Sequence, residues 1–294
     1  MRGGLEGPVQ FPWTQSIAAG GVFNPLDGWD YETPDSDVGV EIPASLESLA
    51  RLDHATTLSK DGVSIETVEH LLSALVGLGV DDVLVEVDGA EVPILDGSAA
   101  PFVILIHEAG LRPQRLQRQY LKILRPIEVV RGAKSARLAP ADHLEVSYTI
   151  GFDHPLLRHQ HAAYRVTAET YADQIAPART FGFLREVETL RRNGLALGGS
   201  LENAVVIGES GVLNNKLRFE DEFVRHKILD ALGDLALLGY PVIGRLEAVK
   251  AGHALHAALA QKLVATPEAF ALVAHPQLPV LELPGAALTL EPSV

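Results

Sequence analysis

The sequence contains no cysteine, and this absence narrows the chemistry that the protein can perform. Without thiols there are no disulfides, no thiolate nucleophile and no cysteine-based metal site, so any metal ion must be held by His, Asp and Glu side chains. Basic residues are also scarce, since 24 Lys and Arg stand against 38 Asp and Glu and give a formal net charge of −14. Nucleic acids are bound through a basic face, so no nucleic-acid partner is expected.

Long apolar runs are missing as well. The longest candidate, residues 228–243, is interrupted by Asp230 and Asp234 and falls short of the roughly 18 apolar residues that predict a membrane span. The first ten residues lack the apolar core of a signal peptide. We therefore expect no integral membrane segment and a cytoplasmic location.

The 294 residues that are present have a globular composition, with 47% hydrophobic and 21% charged residues. This length is enough for two domains of ordinary size or one large one. Residues 1–37 are rich in Gly, Pro and Asp and are predicted to be loop or weakly structured. Apolar spacing predicts a helix over Ser64–Leu78, a strand over Val83–Val87 and a helix over Pro101–Ala109. The basic, polar stretch Arg112–Gln119 is predicted to be a linker.

The chain after this linker repeats the same order of elements. We predict strands over Tyr120–Val130, Lys134–Leu138 and Leu144–Ile150, a helix over Glu222–Leu238 that ends at Gly239, a strand over Arg245–Val249 and a helix over His253–Val264. In both parts a histidine lies near the start of a helix that is followed by a strand and another helix. This recurrence predicts an α+β fold of two similar halves, each with helices packed on a sheet, and a site between them.

The segment Arg225–Asp234 (RHKILDALGD) carries the clearest chemical pattern. On a helix, His226, Asp230 and Asp234 recur at every fourth residue and share one face, and Gly233 leaves room beside them. Apolar residues occupy the opposite side. A solvated polar face is the simpler interpretation of such a stripe, but solvated faces usually carry long Lys and Glu side chains rather than short metal-ligating ones.

Glu69 and His70 supply the remaining groups of a candidate metal site. His70 with His226 and Asp230 forms a set of two histidines and one carboxylate with an open position, as catalytic zinc sites require. Glu69 is then placed to take a proton from a metal-bound water. Spacing alone leaves two alternatives open, namely a surface dipeptide on an amphipathic helix and the site of a non-haem iron oxygenase.

Two further pairs of histidines are weaker candidates. His159 and His161 are predicted to lie at the surface in a strand or turn. His253 and His256 share a helical face, and His253 follows Gly252 at a strand-to-helix junction, where an exposed functional group is expected. A solvent-facing residue in the first turn of a helix is the simpler interpretation of His253.

Six segments of the sequence occur as an ordered set in one known family. They are TVEHLLSALVGLGVDDVLVEVDG, EVPILDGSAAPFV, ARTFGFLREVE, NGLALGGS, LRFEDEFVRHKILDALGDL and KAGHAL. Together they resemble UDP-3-O-acyl-N-acetylglucosamine deacetylase, the zinc enzyme of lipid A biosynthesis, from about Val38 to Val273. The resemblance implies two similar α+β domains with the active site between them. The predicted domains are 38–117 and 118–294, after a divergent segment 1–37.

The resemblance also implies an activity and a set of metal ligands. The expected reaction is zinc-dependent hydrolysis of the 2-acetamido group of a UDP-3-O-acyl-sugar, which releases acetate and commits the sugar to lipid A synthesis. His70, His226 and Asp230 correspond to the zinc ligands, with Fe²⁺ as the alternative metal. Glu69 corresponds to the general base that activates the water.

Further positions correspond to the general acid and to substrate contacts. His253 corresponds to the general acid and Asp234 to its carboxylate partner, which would raise the pKa of the imidazole and keep it charged near neutral pH. Thr180 corresponds to a hydroxyl that polarises the scissile carbonyl. The positions matched to the substrate are Lys227 and Lys250 near the nucleotide-sugar, and Phe181 and Phe183, together with NGLALGGS, in an apolar passage for the acyl chain.

One pattern of the family is missing. The family begins with a strand pair containing G-x-G-L-H-[ST]-G, and residues 1–37 contain no such pattern. The first hairpin of the first domain is therefore expected to be replaced or absent, which would expose a sheet edge. This difference leaves a non-catalytic homologue that binds the nucleotide-sugar or lipid as the alternative function, whereas the retained catalytic positions favour the enzyme. No obligate protein partner is evident.

Overall fold

The computed structural model of the protein describes the backbone of residues 15–19 and all of 39–114, 116–185, 203–209, 211–213 and 216–274. The strands up to residue 150 are β1 (Gln15–Ala19), β2 (Val40–Pro43), β3 (Leu49–Arg51), β4 (Thr57–Lys60), β5 (Val63–Ile65), β6 (Val83–Val87), β7 (Gln119–Ile123), β8 (Ile127–Arg131), β9 (Lys134–Ala139) and β10 (Leu144–Ile150). The later strands are β11 (Gln160–Arg165), β12 (Phe181–Phe183), β13 (Val205–Ile207), β14 (Val242–Val249) and β15 (Phe270–Ala274).

The helices alternate with these strands. They are α1 (Glu69–Leu78), α2 (Ala100–Ala109), α3 (Ala168–Thr170), α4 (Glu222–Ala236) and α5 (His253–Val264). A π-helical turn, Tyr171–Ile175, follows α3, and 3-10 turns occur at Leu46–Ser48, Pro155–Leu157 and Pro267–Ala269. Among the described residues, no helix combines the length and apolar character needed to cross a bilayer.

The described strands form several sheets. β1 lies between β2, which is antiparallel to it, and β6, which is parallel to it, while β3, β4 and β5 form an antiparallel meander. A seven-stranded sheet has the order β11-β10-β14-β7-β15, with β9 paired to β14 and β8 paired to β9. β12 and β13 form a parallel pair. The fold is therefore mixed α and β, while the division into two similar domains and the missing hairpin stay predictions.

Two predictions for the first part of the chain are wrong. Gln15–Ala19 lies in the segment predicted to be loop, yet it forms β1, because pairing with two distant strands outweighs the local Gly- and Pro-rich composition. The helix predicted from Ser64 begins only at Glu69. Val63–Ile65 pairs with β4, and the positive φ of 60° at Thr67 turns the chain between strand and helix. The turn brings Glu69 to the first position of α1.

The predictions for the second part are mostly confirmed. The strand Leu144–Ile150 and the helix His253–Val264 have the predicted bounds. The single strand predicted over Tyr120–Val130 is two strands, because Pro126 has no backbone N–H to continue a ladder. His253 begins its helix as expected, but it is buried rather than exposed.

The helices α1 and α4, which carry His70 and His226, lie together in the core. α1 and α4 pack against each other more extensively than any other pair of described elements. A cluster of buried apolar side chains that runs from Ile42 to Ala269 includes residues of both helices. Because α4 is buried on its polar face as well, the interpretation of that face as solvated is wrong. The core therefore contains charged groups that need a reason to be there.

Candidate metal centre and acid–base pair

Close contact between α1 and α4 builds the site. A Cβ added at Gly233 would collide with the carbonyl oxygen of Glu69, so only glycine allows the two helices to approach this closely. The approach places the first turn of α1 against the middle of α4. Glu69, His70, Asp230 and Asp234 consequently face one another across the interface, each at most 3% exposed.

Three of the predicted ligands converge. His70, His226 and Asp230 each offer a ligand atom, and these atoms lie within 4.8 Å of one another. Asp230 Oδ1 lies 3.3 Å from His226 Nε2 and 3.8 Å from His70 Nε2. The two imidazole rings meet edge to face with centroids 4.9 Å apart. The alternative of a surface dipeptide at Glu69-His70 is therefore wrong.

The protonation states at this cluster favour a cation between the three groups. His226 Nδ1 lies 3.0 Å from the carbonyl oxygen of Ala178, which can only accept, so Nδ1 carries the proton. Burial lowers the pKa of His226, so the ring is neutral and Nε2 presents a lone pair. Asp230 Oδ1, which has no hydrogen-bond partner among the described residues, faces that lone pair. Two buried acceptors in contact are unfavourable unless a positive charge lies between them.

The remaining groups keep the cluster ready for a metal ion. Burial, helped by His226, lowers the pKa of His70 to about 3, so this ring is also neutral. Burial alone would raise the pKa of Asp230, but nearby positive charges, among them Lys227 and His253, outweigh it and hold the pKa below its ordinary value. Lys227 Nζ lies 2.6 Å from Asp230 Oδ2, which leaves Oδ1 for the ion. Two neutral imidazoles and one carboxylate fit a catalytic metal site, and the outer contacts of His226 with Ala178 and of Asp230 with Lys227 hold two of these ligands in place.

Glu69 lies beside the metal cluster without belonging to it. The backbone N–H of Thr56 donates to Glu69 Oε2 at 3.0 Å, so Oε1 is the oxygen that remains for chemistry. Burial raises the pKa of Glu69 to about 7, although His253 opposes the change. A carboxylate whose pKa lies near neutrality is suited to taking up and releasing a proton.

Asp234 and His253 form a second cluster one turn further along α4. His253 Nδ1 lies 2.8 Å from Asp234 Oδ2, and the Thr56 hydroxyl donates to Asp234 Oδ1 at 2.5 Å. Burial alone would lower the pKa of His253, but Asp234 and Glu69 outweigh it and raise the pKa to about 9. His253 is therefore an imidazolium near neutral pH. Its Nε2 lies 3.9 Å from Glu69 Oε1, too far for a hydrogen bond.

The positions predicted to contact substrate lie at varying depths around these clusters. Phe181 packs edge to face on Phe223, and the Phe181 and His226 ring centroids are 6.3 Å apart. Phe183 is buried on the same strand, whereas Lys250 is exposed just after β14. Their substrate contacts stay predictions. Residues 193–200, the NGLALGGS segment, lie outside the described residues.

Thr180 lies next to the segment that supports His226. Its backbone N–H donates to the carbonyl oxygen of Gly97 at 2.7 Å, and it follows Ala178, the acceptor of His226, by two residues. This backbone pairing fixes the position of Thr180 near the cluster. The role of its hydroxyl stays a prediction.

Sequence reasoning missed three residues of the second cluster. Thr56 contacts both Glu69 and Asp234, and nothing in its surroundings in the sequence indicates this. His256 Nδ1 lies 2.8 Å from Asp234 Oδ2, and Tyr148 lies 3.0 Å from His256 Nε2. The spacing of His253 and His256 on one helical face was the available signal for His256.

Known proteins resemble this chain over most of its length. Residues 24–265 match the family model described as UDP-3-O-acyl N-acetylglycosamine deacetylase, so the match begins upstream of the predicted Val38. A UDP-3-O-acyl-N-acetylglucosamine deacetylase of Syntrophotalea carbinolica is 49% identical over 250 residues, which are 85% of this chain and 81% of the relative. The protein of the same name from Myxococcus xanthus is 51% identical over 235 residues, 80% of this chain and 75% of the relative. That of Pseudomonas entomophila is 47% identical over 253 residues, 85% and 84% of the two chains.

Proposed function

Because the chain belongs to the UDP-3-O-acyl N-acetylglycosamine deacetylase family, a family of hydrolytic deacetylases, we propose that it performs zinc-dependent amide hydrolysis on a UDP-3-O-acyl-N-acetylglucosamine. The reaction would release acetate and the free 2-amine, as the committed step of lipid A biosynthesis. The observation that carries the proposal is the contact of two buried acceptors, His226 Nε2 and Asp230 Oδ1. A cytoplasmic location and the lack of nucleic-acid and obligate protein partners stay predictions from the sequence.

The metal ion would be held by His70, His226 and Asp230. When bound, it supplies a water of lowered pKa and positive charge for the carbonyl oxygen. Zn²⁺ fits two imidazoles and a carboxylate with an open position, and Fe²⁺ remains the alternative.

Glu69 and His253 would divide the proton transfers of the reaction. Glu69 Oε1, left free because Thr56 holds Oε2, takes the proton of the attacking water as the new C–O bond forms. His253, protonated and held at Nδ1 by Asp234, gives its Nε2 proton to the amide nitrogen as the C–N bond breaks. The 3.9 Å between Nε2 and Oε1 leaves the acid and the base unpaired and separately available to the reacting atoms.

The same pair of groups supports hydrolysis over iron-dependent oxygenation. Oxygenation has no evident use for a carboxylate of raised pKa beside a protonated imidazole, whereas amide hydrolysis needs both a base and an acid. Thr180 would place its hydroxyl on the scissile carbonyl, and Lys227, Lys250, Phe181 and Phe183 would contact the substrate. These assignments rest on the matched positions.

Metal exchange on the full chain tests the proposal. Acetate release from the UDP-acyl-sugar should cease on chelation and return with Zn²⁺, and the return with Fe²⁺ under reducing, anaerobic conditions separates the two metals. Activity that persists after complete demetallation would refute metal dependence. A fully metallated protein that binds the substrate and releases no acetate would support the non-catalytic homologue instead.

Substitution of Glu69 tests the assignment of the base. Glu69→Gln should keep its metal yet lose about 10²–10⁴-fold in kcat, the typical contribution of a general base. Glu66→Gln is the matched control, because Glu66 lies three residues earlier and pairs with the exposed Arg51. A near-normal rate in Glu69→Gln would remove Glu69 from this role.

A further inference from the structure

Two buried groups of the second cluster have no part in the proposed mechanism. His256 and Tyr148 are each at most 1% exposed, and their side chains contact each other at 3.0 Å. His256 also reaches Asp234, the partner of the proposed acid, at 2.8 Å. A chain of buried contacts therefore leads from Tyr148 through His256 and Asp234 to His253.

The partners at the two ends of His256 determine its tautomer. Asp234 is a carboxylate, because its pKa lies below the ordinary value: burial would raise it, but His253 and His256 outweigh burial. His256 Nδ1 must therefore carry a proton to donate to Oδ2. Burial raises the pKa of Tyr148 well above its usual range, so the phenol keeps its proton and donates to His256 Nε2. In this tautomer His256 Nδ1 donates to an acceptor and His256 Nε2 accepts from a donor, so both ring nitrogens are paired.

Asp234 Oδ2 consequently accepts from two imidazoles at once. His253 Nδ1 and His256 Nδ1 both lie 2.8 Å from this oxygen, while the Thr56 hydroxyl holds Oδ1. Three donors, two from helix α5 and one from Thr56, leave the carboxylate one orientation. The negative charge on Oδ2 is also divided between two N–H groups, so it acts less strongly on His253 than it would with one donor.

We propose that His256 is a positioning residue that, together with Tyr148, fixes the Asp234 carboxylate and shares its Oδ2 with His253, so that the acid keeps one orientation and releases its proton readily. The inference rests on the proposed hydrolytic function for its kinetic consequence, but not for its structural one. His256 acts only through Asp234. The titratable groups that influence His253 among the described residues are Glu69 and His70 of α1, His226, Asp230 and Asp234 of α4, and His256 of its own helix.

Replacement of His256 by an apolar residue of similar size tests the kinetic consequence. His256→Leu should lower kcat about tenfold or more with KM little changed, since one hydrogen bond to a buried charge is lost. With one imidazole donor left on Oδ2, the carboxylate acts on His253 alone, and the basic limb of the kcat–pH profile should move to higher pH. A merely structural role would lower the stability and leave the limb where it is, and that result would overturn the proposal.

A conservative variant separates the lost donor from the lost packing. In His256→Asn the amide nitrogen takes nearly the place of Nδ1 and can donate to Asp234, so kcat and the basic limb should return most of the way to the wild type. Failure of His256→Asn to recover beyond His256→Leu, in folded protein, would contradict the assigned contact with Asp234.

Nitrogen NMR of histidine-labelled, Zn²⁺-loaded full-length protein tests the inference without any turnover. The ring of His256, assigned by its loss in His256→Asn, should carry its proton on Nδ1. Tyr148→Phe, which removes only the hydroxyl, should shift the Nε2 resonance. A proton on Nε2 of His256 in the wild type would overturn the proposal. If the wild type released no acetate, the proposed function would fail, while the tautomer would still decide this inference.

Discussion

Two buried clusters lie one helical turn apart on α4, and they differ in how their polar atoms are satisfied. In the metal cluster of His70, His226 and Asp230, the atoms His70 Nδ1 and Asp230 Oδ1 have no hydrogen-bond partner among the described residues. In the acid cluster around Asp234, both carboxylate oxygens accept hydrogen bonds. Burial of polar groups is tolerated only with partners, so the unpaired acceptor of the metal cluster fits a ligand for a cation.

The histidines of the two clusters also differ in their protonation states. Burial keeps both imidazoles of the metal cluster neutral, since it lowers the pKa of His70 and of His226. In the acid cluster Asp234 overcomes burial and raises the pKa of His253 to about 9. Equally buried histidines therefore hold lone pairs in one place and a proton in the other. The difference teaches that burial alone does not decide the role of a histidine. The number and direction of its contacts with carboxylates decide whether it is neutral or protonated.

Removal of the carboxylate from the metal cluster should have the largest effect. Asp230→Asn replaces a charged ligand by a neutral amide and leaves Lys227 without its partner, so the protein should purify with little metal. Because the metal ion contributes several kcal/mol to transition-state stabilisation, kcat should fall on the order of 10³-fold. Metal analysis together with acetate release measures both consequences.

Asp221→Asn is the matched control for this variant. Asp221 precedes the same helix and pairs with Arg225 at 2.6 Å, so the variant changes a carboxylate of the same region without touching the cluster. It should keep its metal and its rate. Full metal content in Asp230→Asn would show that Asp230 is not a metal ligand and that the two clusters do not differ in this way.

Removal of the carboxylate from the acid cluster should have a smaller effect of a different kind. In Asp234→Asn the pKa of His253 should fall from about 9 towards the ordinary value of 6.5, because the charge that raises it is gone. A general acid must be protonated, so the basic limb of the kcat–pH profile should move to lower pH, opposite to the shift expected for His256→Leu. We expect about a 10²-fold loss of kcat at pH 8, at the low end for an acid catalyst, and normal metal content.

The control for Asp234 uses a carboxylate that is paired but distant. Asp81 bonds to Arg118 at 2.8 Å, and Asp81→Asn should leave the basic limb in place. If the basic limb of the kcat–pH profile stayed in place in Asp234→Asn but moved in Asp81→Asn, the limb would not report the protonation of the acid cluster.

The elements that local sequence pattern determines were predicted well. The face of α4 that carries His226, Asp230 and Asp234 follows directly from helical spacing, and so do the bounds of α5. The residue types also suggested His70 as the third member of the site, and the resemblance to a family assigned all three residues as metal ligands. Helical spacing could not reveal that the polar side of the helix is buried as well as the apolar side, because a stripe of short polar residues suits both water and a metal ion.

The elements that depend on distant contacts were missed. Gln15–Ala19 becomes a strand only because β2 and β6 lie on either side of it. Thr56 reaches Asp234 across 178 positions of sequence, and Tyr148 reaches His256 across 108. No local pattern marks such residues, since their roles arise from the closed fold. The supports of a buried cluster are therefore harder to predict than its ligands.

The smallest expected effect concerns Lys227. Two roles are considered for it, namely support of the metal ligand Asp230 and contact with the nucleotide-sugar. The family resemblance predicts that Lys227 lies near the nucleotide-sugar, whereas its ammonium contacts Asp230 Oδ2 at 2.6 Å and lies 5.6 Å from the centroid of the Phe181 ring. If it serves the metal cluster, Lys227→Met should weaken metal affinity about 10–100-fold, the usual effect of losing an outer contact of a ligand. At saturating Zn²⁺ the KM for the UDP-sugar should then change little.

Lys262→Met is the control, because Lys262 is exposed and donates to the carbonyl oxygen of Glu128. Titration of apoprotein with Zn²⁺ measures the affinity, and initial rates at saturating metal measure KM. A raised KM with unchanged metal affinity would assign Lys227 to the substrate and remove it from the metal cluster. Both changes together would mean that one ammonium serves the ligand and the sugar, which its half-buried position between Asp230 and Phe181 allows.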